Sequence, residues 1–396
     1  MPRKEFESFT RLDASDVNTY LMDQSVMTFA GTAARGSAIT TPIEGMVTYL
    51  NDSNSLQLWD GARWTSAGGV SSGNAVINGG FDIWQRGTSG LTIGNSLTNA
   101  FSADRWSSYR AANHTAISVS RQSASGVPGA PSLARIQRTA ANSSTETIVF
   151  GQTIEIANAA TFAGQSVTFS YYLRAGANYS ASGSSILAKW KSGTGSTDLN
   201  GIYNAYPGTV DANATHVLSS SFQRFSQTIL VPSNATQIAI SFEFTPTGTA
   251  GAADFFEITG VQIEAGSVAT PFRRNANSLQ GELAACQRYY FRNTATSLFS
   301  VFGQGRAQST TSSRQLVNLP VTMRVQPTSV DFSTLRLSDG AAGNPTVTAL
   351  TIQSDTSHNQ TMTVTADVAS GLTANQNFYL YANNSTSAFI GFSAEL

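Results

Sequence analysis

The chain has 396 residues, which corresponds to about two to four domains of ordinary size. Only 12% of the residues are charged and 41% are apolar, a balance too apolar for a disordered chain and too poor in charge for a helical bundle. The formal net charge is −1 and no basic block occurs, so the sequence predicts no nucleic-acid partner. Small polar and β-branched residues fill the remainder, which favours an all-β fold.

Residues 1–70 predict a short helix followed by a small β-meander. Val17 and Tyr20 begin a stripe with a helical period. An alternating run follows, and Asp60-Gly61 indicates a tight hairpin turn before a further strand. Elements this small cannot bury a core of their own, so we expect a partner to complete this region.

Residues 74–270 predict the largest domain, a jelly-roll sandwich. At least about eight short runs alternate there between apolar and polar residues, with Gly, Asn, Ser and Pro between them. A linker rich in Gly and Ser, at 68–73, separates this domain from the N-terminal region.

A helical connector is predicted at residues 271–292, followed by a second, smaller β-sandwich-like domain at 293–396. The apolar residues of the connector recur at spacings of three and four, as in a coiled-coil heptad that joins several chains. The same pattern suits a helix that lies on its own sheet, so both arrangements stay open. The spaced residues are Phe272, Ala276, Leu279, Leu283, Cys286 and Tyr290.

The single cysteine, Cys286, excludes an intrachain disulfide and a thiolate zinc site. The N-terminus lacks the apolar core of a signal peptide, and no apolar run reaches the ~18 residues of a membrane helix. We therefore expect a protein made in a cytoplasm, without membrane insertion. Its stability is expected to depend on oligomerisation rather than on disulfides.

Aromatic side chains are the candidates for a sugar-binding platform, because a ring face suits the apolar side of a sugar. Trp190, Tyr203 and Tyr206 lie in a loop-rich stretch and are the predicted ligand-binding residues. A role in the core or at a subunit contact is the alternative for each of them. Because the sequence has no charged cluster, binding is expected to depend on these aromatic loops, or on loops of the 293–396 domain, and not on charge.

Several motifs, in a consistent order, make the chain resemble a known family. Residues 74–292 resemble a module that is frequent in bacteriophage and prophage tail proteins, and that looks like the carbohydrate-binding jelly rolls attached to glycoside hydrolases. The two ends of the chain are similar to the particle-attachment end and the distal end of phage appendage proteins. The motifs are NGGFDIWQRGTS at 78–89, SADRW at 102–106, VQIEAGSVATPF at 261–272 and CQRYY at 286–290, with DVNTYLMDQSVMTFAG and EGMVTYLNDSNSLQLWDGARW near the N-terminus and LPVTMRVQPTSV and FSAEL near the C-terminus.

This resemblance implies a virion protein, a phage tail fibre or baseplate appendage that mediates recognition of a host cell-surface glycan. It implies a homotrimer that joins other tail or baseplate proteins through residues 1–70. It also implies that Trp84 and Trp106, which lie within the shared motifs, are core residues. Two alternatives stay open, namely a structural appendage or capsid-surface fibre that binds no receptor, and a polysaccharide depolymerase.

No cofactor is expected, apart from a structural calcium ion that the first and last strands of jelly rolls of this type can hold. The predicted ligands are Asp82, Asp254 and Glu257, since calcium needs several converging oxygens. Gly80 occupies a place where the family often has an acidic residue, and ordinary solvated carboxylates are the alternative. The chain has no nucleophile elbow, phosphate loop or β-helix repeat, so we expect no enzyme activity.

Overall fold

The structure is a computed structural model, which describes residues 13, 26–52, 55–61, 64–66, 73–93, 100–110, 117–340 and 344–396. The chain divides into two compact units, at residues 1–72 and 73–396. Strands dominate both units and the helices are short, so the predicted all-β fold class is confirmed. No helix of the described ranges is both long and apolar enough to span a membrane.

The N-terminal unit contains the predicted meander. Its described elements are β1 (Met27–Phe29), α1 (Thr32–Ala38), β2 (Val47–Leu50), β3 (Ser55–Trp59) and β4 (Trp64–Ser66). Strand β1 pairs in parallel with β2, and antiparallel hairpins then join β2 to β3 and β3 to β4. Trp59 and Trp64 meet edge to face across the last turn at 5.5 Å, and the guanidinium of Arg35 lies 4.3 Å from the Trp64 ring centre. The helix predicted around Val17 and Tyr20 lies outside the described residues.

The second unit begins with a sandwich of two six-stranded antiparallel sheets. Its elements are β5 (Leu91–Ile93), β6 (Ala100–Phe101), β7 (Ser107–Arg110), β8 (Ile117–Ser123), β9 (Ser132–Arg138), β10 (Ile148–Ile154), α2 (Ile156–Ala159), β11 (Ser166–Ala175), β12 (Ser185–Gly193), β13 (Val210–Val217), β14 (Gln223–Leu230), β15 (Gln237–Phe244) and β16 (Phe255–Ala265). The front sheet has the order β13-β12-β15-β10-β7-β6, and the back sheet has the order β14-β11-β16-β9-β8-β5. The sandwich predicted for this region is therefore present.

The core of the sandwich lies between these two sheets and is rich in aromatic rings. The Trp106 ring lies 4.8 Å from that of Phe81 and 5.1 Å from that of Phe150, centre to centre. Trp84 and Trp106 are buried, and each indole N–H donates to a nearby backbone carbonyl. The expectation that both tryptophans are core residues is confirmed. Burial of each such side chain stabilises the fold by about 1.5–3 kcal/mol relative to exposure.

The connector is not one continuous helix over 272–290. Helix α3 spans only Leu279–Gln287, and the Ser278 side chain accepts a hydrogen bond from the first turn. Phe272 lies before the helix and packs into a separate cluster on the sandwich, which interrupts the predicted heptad. Leu283 and Cys286 pack against residues of the same chain. The structure therefore agrees with a helix that packs on its own chain, and trimerisation stays a prediction.

The chain ends in a second β-sandwich with its own hydrophobic core. Its strands are β17 (Tyr290–Thr294), β18 (Val301–Ala307), β19 (Ser312–Asn318), β20 (Ser329–Ser333), β21 (Leu335–Ser338), β22 (Val347–Ile352), β23 (Thr361–Val368), β24 (Asn377–Ala382) and β25 (Phe389–Ser393). A three-stranded sheet, β17-β25-β20, faces a six-stranded sheet, β21-β24-β18-β19-β23-β22. The first of these strands begins at Tyr290, so the last three residues of the predicted connector belong to this domain.

A buried polar joint, built from residues of the motifs named above, connects the two sandwiches. The Gln85 side-chain amide donates to the backbone carbonyl of Tyr290 at 2.6 Å. Arg86 and Arg105 both reach the carboxylate of Glu395, at 3.3 and 2.5 Å. The motifs near 85, 105, 290 and 395, which are far apart in the sequence, therefore meet at one place in the fold.

Candidate functional site

Strand β12 shows which side of the front sheet faces outward. Ile186, Ala188 and Trp190 are buried in the core, whereas Lys189 and Lys191 are half-buried on the other side. Successive side chains of a strand point to opposite faces, so the lysines mark the outer face of the front sheet.

Strand pairing arranges the outer face into rows that run across five strands. Residues directly opposite one another in an antiparallel pair have neighbouring side chains, so each row is a set of contiguous side chains. From β13 to β7, the first row holds Thr215, Leu187, Glu243, Val149 and Tyr109, the second holds Asn213, Lys189, Ser241, Gly151 and Ser107, and a third begins with Asp211, Lys191, Ala239 and Thr153.

The loop at 194–209 folds over the third row. The Lys191 ammonium donates to the backbone carbonyl of Gly201 at 2.7 Å, and the Gly201 N–H donates to the Thr153 hydroxyl at 3.0 Å. Burial lowers the pKa of Lys191, and the neighbouring Lys189 ammonium lowers it further. Because both Thr153 and Lys191 lie on the sheet, these bonds hold the loop in a set position, in which Ile202 also covers Gly151 of the second row.

Tyr206 is the anchor of this loop rather than a ligand contact. Its side chain is buried, its ring lies 5.9 Å from the Lys191 ammonium, and its hydroxyl is 3.4 Å from the carbonyl of Leu199. Burial raises the pKa of the Tyr206 phenol, which therefore stays neutral. The prediction that Tyr206 binds a ligand is corrected, since its ring face is not accessible.

Trp190 is also a core residue, because only 1% of it is exposed. The ring packs among Phe169 and other apolar side chains between the two sheets. The prediction of a ligand-binding role for Trp190 is corrected for the same reason as that of Tyr206. The sequence carried a signal for this result, since Lys189 and Lys191 flank Trp190 and period-two alternation then turns the indole inward.

Tyr203 is the predicted ligand residue that the structure leaves exposed, at 47%. It lies at the tip of the loop, and its ring meets that of Tyr109 edge to face at 5.4 Å. Tyr109 ends the first row on β7, so the pair joins the loop to the sheet. The sequence indicates Tyr203 but not Tyr109 as a ligand residue, since nothing local to either residue shows that the two rings are in contact.

A charge pair lies beside the tyrosines on the same face. The Lys189 ammonium is 3.4 Å from the Glu243 carboxylate, and both side chains remain partly exposed. The hydroxyl of Ser241 lies 3.5 Å from the same carboxylate. The exposed groups of this surface are therefore two aromatic rings, an acid and a base, because Ser107 and Ser241 of the second row are buried.

The structure does not bring together the three carboxylates predicted to bind calcium. Each is paired with arginine instead, as shown by the distances from Asp82 to Arg274 (2.7 Å), from Asp254 to Arg138 (2.6 Å) and from Glu257 to Arg135 (2.6 Å), with Arg174 as a second partner of Glu257. Among the described residues, no group of three or more acidic, histidine or cysteine side chains is arranged to hold a metal ion. The guanidinium groups supply the positive charge that a cation would supply.

The architecture of residues 73–396 is that of a two-domain β-sandwich chain. No protein-family model matches it, and no curated protein matches it. Similar solved structures include a CBM4 domain, with 20% identity, a TM-score of 0.29, and coverage of 48% of this chain and 100% of that one. They also include the enzymatically active domain of tailspike protein 4 of bacteriophage CBA120, with 14% identity, a TM-score of 0.31, and coverage of 48% of this chain and 21% of that one. A third is TmCBM61 in complex with β-1,4-galactotriose, with 10% identity, a TM-score of 0.28, and coverage of 49% of this chain and 99% of that one. These TM-scores establish no family for the chain.

Proposed function

We propose that this chain is a glycan-binding appendage protein of a bacteriophage particle, and that it binds glycan on the first two rows of the outer face of the front sheet. The observation that carries the glycan site is the exposed Tyr203 ring against Tyr109, beside the Lys189–Glu243 pair. The motifs of the sequence that resemble phage tail proteins support the place on a particle.

The chemistry of this face suits a sugar. The faces of the Tyr109 and Tyr203 rings can cover the apolar side of a pyranose. Sugar hydroxyls both donate and accept hydrogen bonds, and Glu243 accepts whereas Lys189 donates. Since these two groups are already paired at 3.4 Å, they are held in position before a ligand arrives.

The size of the face favours a short oligosaccharide. Five neighbouring strands at a spacing of about 4.8 Å extend over about 19 Å from β13 to β7. A surface of this kind buries little area, so each site is expected to bind weakly. Three copies on one fibre would raise the apparent affinity by about 10²–10⁴ through effective concentration.

Replacement of Tyr203 by alanine is expected to weaken glycan binding by about 1–3 kcal/mol, the range for loss of one large apolar contact. The melting temperature should stay unchanged, because the Tyr203 ring lies on the surface and not in the core. A glycan array with the full chain would identify the ligand, and calorimetry would then measure the affinity of each variant.

The matched control is Phe299→Ala, which removes a ring of similar exposure, 48%, from the C-terminal sandwich. This variant is expected to bind the glycan as the parent does. Absence of any hit on the array, or equal affinity of the Tyr203 variant and the parent, would contradict the proposed site.

Catalysis is not part of the proposal. Hydrolysis of a glycosidic bond requires two carboxyl groups on either side of that bond. Within the first two rows, Glu243 is the single carboxylate. Release of reducing sugar from the bound glycan would favour the depolymerase alternative instead.

Attachment to the particle is assigned to residues 1–70. Deletion of this region is expected to leave a soluble homotrimer with three times the mass of the truncated chain, because residues 73–396 form a compact unit with two cores. The truncated protein should no longer join virions, since the small meander needs a partner to complete its core. Light scattering measures the mass, and the protein content of purified particles measures incorporation. A monomer, or normal incorporation, would contradict the respective part of this assignment.

A further inference from the structure

We infer that the C-terminal sandwich carries a second binding site, for an anionic group of a glycan, centred on Arg306 and Arg314. The anionic group is a carboxylate, or a phosphate or sulfate ester, carried on a sugar. The site shares no residue with the outer face of the front sheet, so it can be tested separately from that face.

The two arginines are held side by side by strand pairing. Arg306 on β18 is directly opposite Arg314 on β19. Directly opposed side chains have Cβ atoms about 4.5–5.5 Å apart, and like charges at this spacing repel each other. A pair of this kind is unfavourable by itself and becomes favourable when an anion lies between the two guanidinium groups.

Neither arginine forms an ion pair with a carboxylate of the described residues. Among these residues, Arg306 donates only to Asn375, to the backbone carbonyl at 3.1 Å and to the side-chain oxygen at 2.8 Å. Arg314 is half-buried and makes no hydrogen bond or ion pair to any residue that the structure describes, and its Nε is fully buried. By contrast, Arg138 and Arg105 are each paired with a carboxylate. The terminal Nη donors of Arg314 are therefore available to an external acceptor, whereas its buried Nε is not.

The arginines line an open pocket of about 360 Å³. Gln308 and Asn375 lie on its wall and add amide groups that can donate to or accept from hydroxyls. A guanidinium fork matches the planar geometry of a carboxylate and the oxygens of a phosphate. The pocket thus combines two anion-binding groups with partners for the hydroxyls of a sugar.

An exposed aromatic ring on the neighbouring strand favours a sugar over a free ion. Arg306 is opposite Asn377 on β24, and two residues further along Tyr379 is opposite Gln304. Two residues of a strand correspond to about 7 Å, and both pairs lie on the same face. Tyr379 is 45% exposed, so its ring is accessible to the apolar side of a sugar whose acid group contacts the arginines.

Calorimetry with the full chain tests this site with three probes, which are an oligogalacturonate, inorganic phosphate and a neutral cello-oligosaccharide. We expect the oligogalacturonate or phosphate to bind, and to bind more weakly as salt is added. Arg306→Gln and Arg314→Gln should each weaken that binding roughly tenfold or more, because each removes a charge-assisted hydrogen bond. The folded state should not be destabilised by Arg314→Gln, since the change removes a like-charge contact.

Arg121→Gln is the matched control, because it removes the same charge from an exposed position on β8, where the side chain donates to the Ser132 hydroxyl. It should change the affinity by less than about twofold. Binding of the oligogalacturonate alone identifies an acidic sugar, and binding of phosphate as well identifies a general anion site. The inference is overturned if neither anionic probe binds at millimolar concentration, or if both arginine variants bind as the parent does. Tyr203→Ala should leave this binding unchanged, which separates a failure here from a failure of the front-sheet face.

Discussion

Replacement of Asp254 by alanine is expected to lower the free energy of unfolding by about 3–5 kcal/mol, the range for breaking a buried ion pair by removal of one partner. Asp254 and Arg138 are both fully buried, and their side chains are 2.6 Å apart. Ser180 also donates to the Asp254 carboxylate, through its backbone N–H at 3.0 Å and its hydroxyl at 2.8 Å. The alanine variant would keep the charge of Arg138 buried without a counter-charge.

The remaining partners of Arg138 cannot compensate for this loss. They are the Ser180 hydroxyl and the backbone carbonyls of Asn142, Ser144 and Gly248, which accept from the guanidinium but carry no net charge. Asp211→Ala, the same change at an exposed position on β13, is expected to shift the unfolding free energy by less than about 0.5 kcal/mol. Denaturant titration measures both variants. A loss below about 1 kcal/mol for Asp254→Ala would show that Arg138 is neutralised in some other way.

Acidification is expected to stabilise the joint between the two sandwiches through Asp104. Burial raises the pKa of Asp104 to about 6 from 3.8, although the nearby Arg86 opposes the shift. The Gln85 backbone N–H and side-chain amide donate to the two carboxylate oxygens at 2.7 and 2.6 Å. The same Gln85 amide bonds to Tyr290, so the titrating group lies at the joint itself.

The direction of the effect follows from the raised pKa. The folded state binds a proton more tightly than the unfolded state, so the contribution of Asp104 to stability is fully present below about pH 4 and is lost as the pH rises through about 6. The unfolding free energy of the parent, relative to that of Asp104→Asn, should therefore be about 1–2 kcal/mol greater at pH 5 than at pH 7.5. Denaturant titrations of both proteins at the two pH values give this difference.

The comparison with the asparagine variant is needed because other groups titrate in the opposite direction. Burial raises the pKa of Glu155, but the hydrogen bonds that the Arg288 guanidinium and the Tyr289 hydroxyl donate to its carboxylate help to lower the pKa by more. The pKa of Glu155 is therefore lowered overall, and its contribution to stability is lost in acid. Subtraction of the variant's titration removes this common contribution. An identical difference between parent and variant at both pH values would show that Asp104 does not titrate in this range.

Much of the fold followed from local pattern. The Asp60-Gly61 turn specifies a hairpin without reference to distant residues. The alternation in β12 is equally local, because side-chain direction in a strand depends only on position parity, yet the prediction for the stretch around Trp190 was a loop. The heptad spacing at 272–290 was misleading for a related reason. Spacing records which residues are apolar, but not which surface covers them, and Phe272 is covered by its own sandwich.

The candidate sites depended on the tertiary structure. The sequence by itself determined the all-β class and the order of the regions, and it indicated Tyr203 together with Trp190 and Tyr206. It did not separate the exposed ring of Tyr203 from the two buried ones. Only the tertiary packing paired Tyr203 with Tyr109, matched each predicted calcium ligand with an arginine, and placed Arg306 opposite Arg314 without an ion-pair partner among the described residues. The physical reason is that the electrostatics and accessibility of a side chain depend on neighbours from other strands, whereas its secondary structure depends on neighbours in the chain.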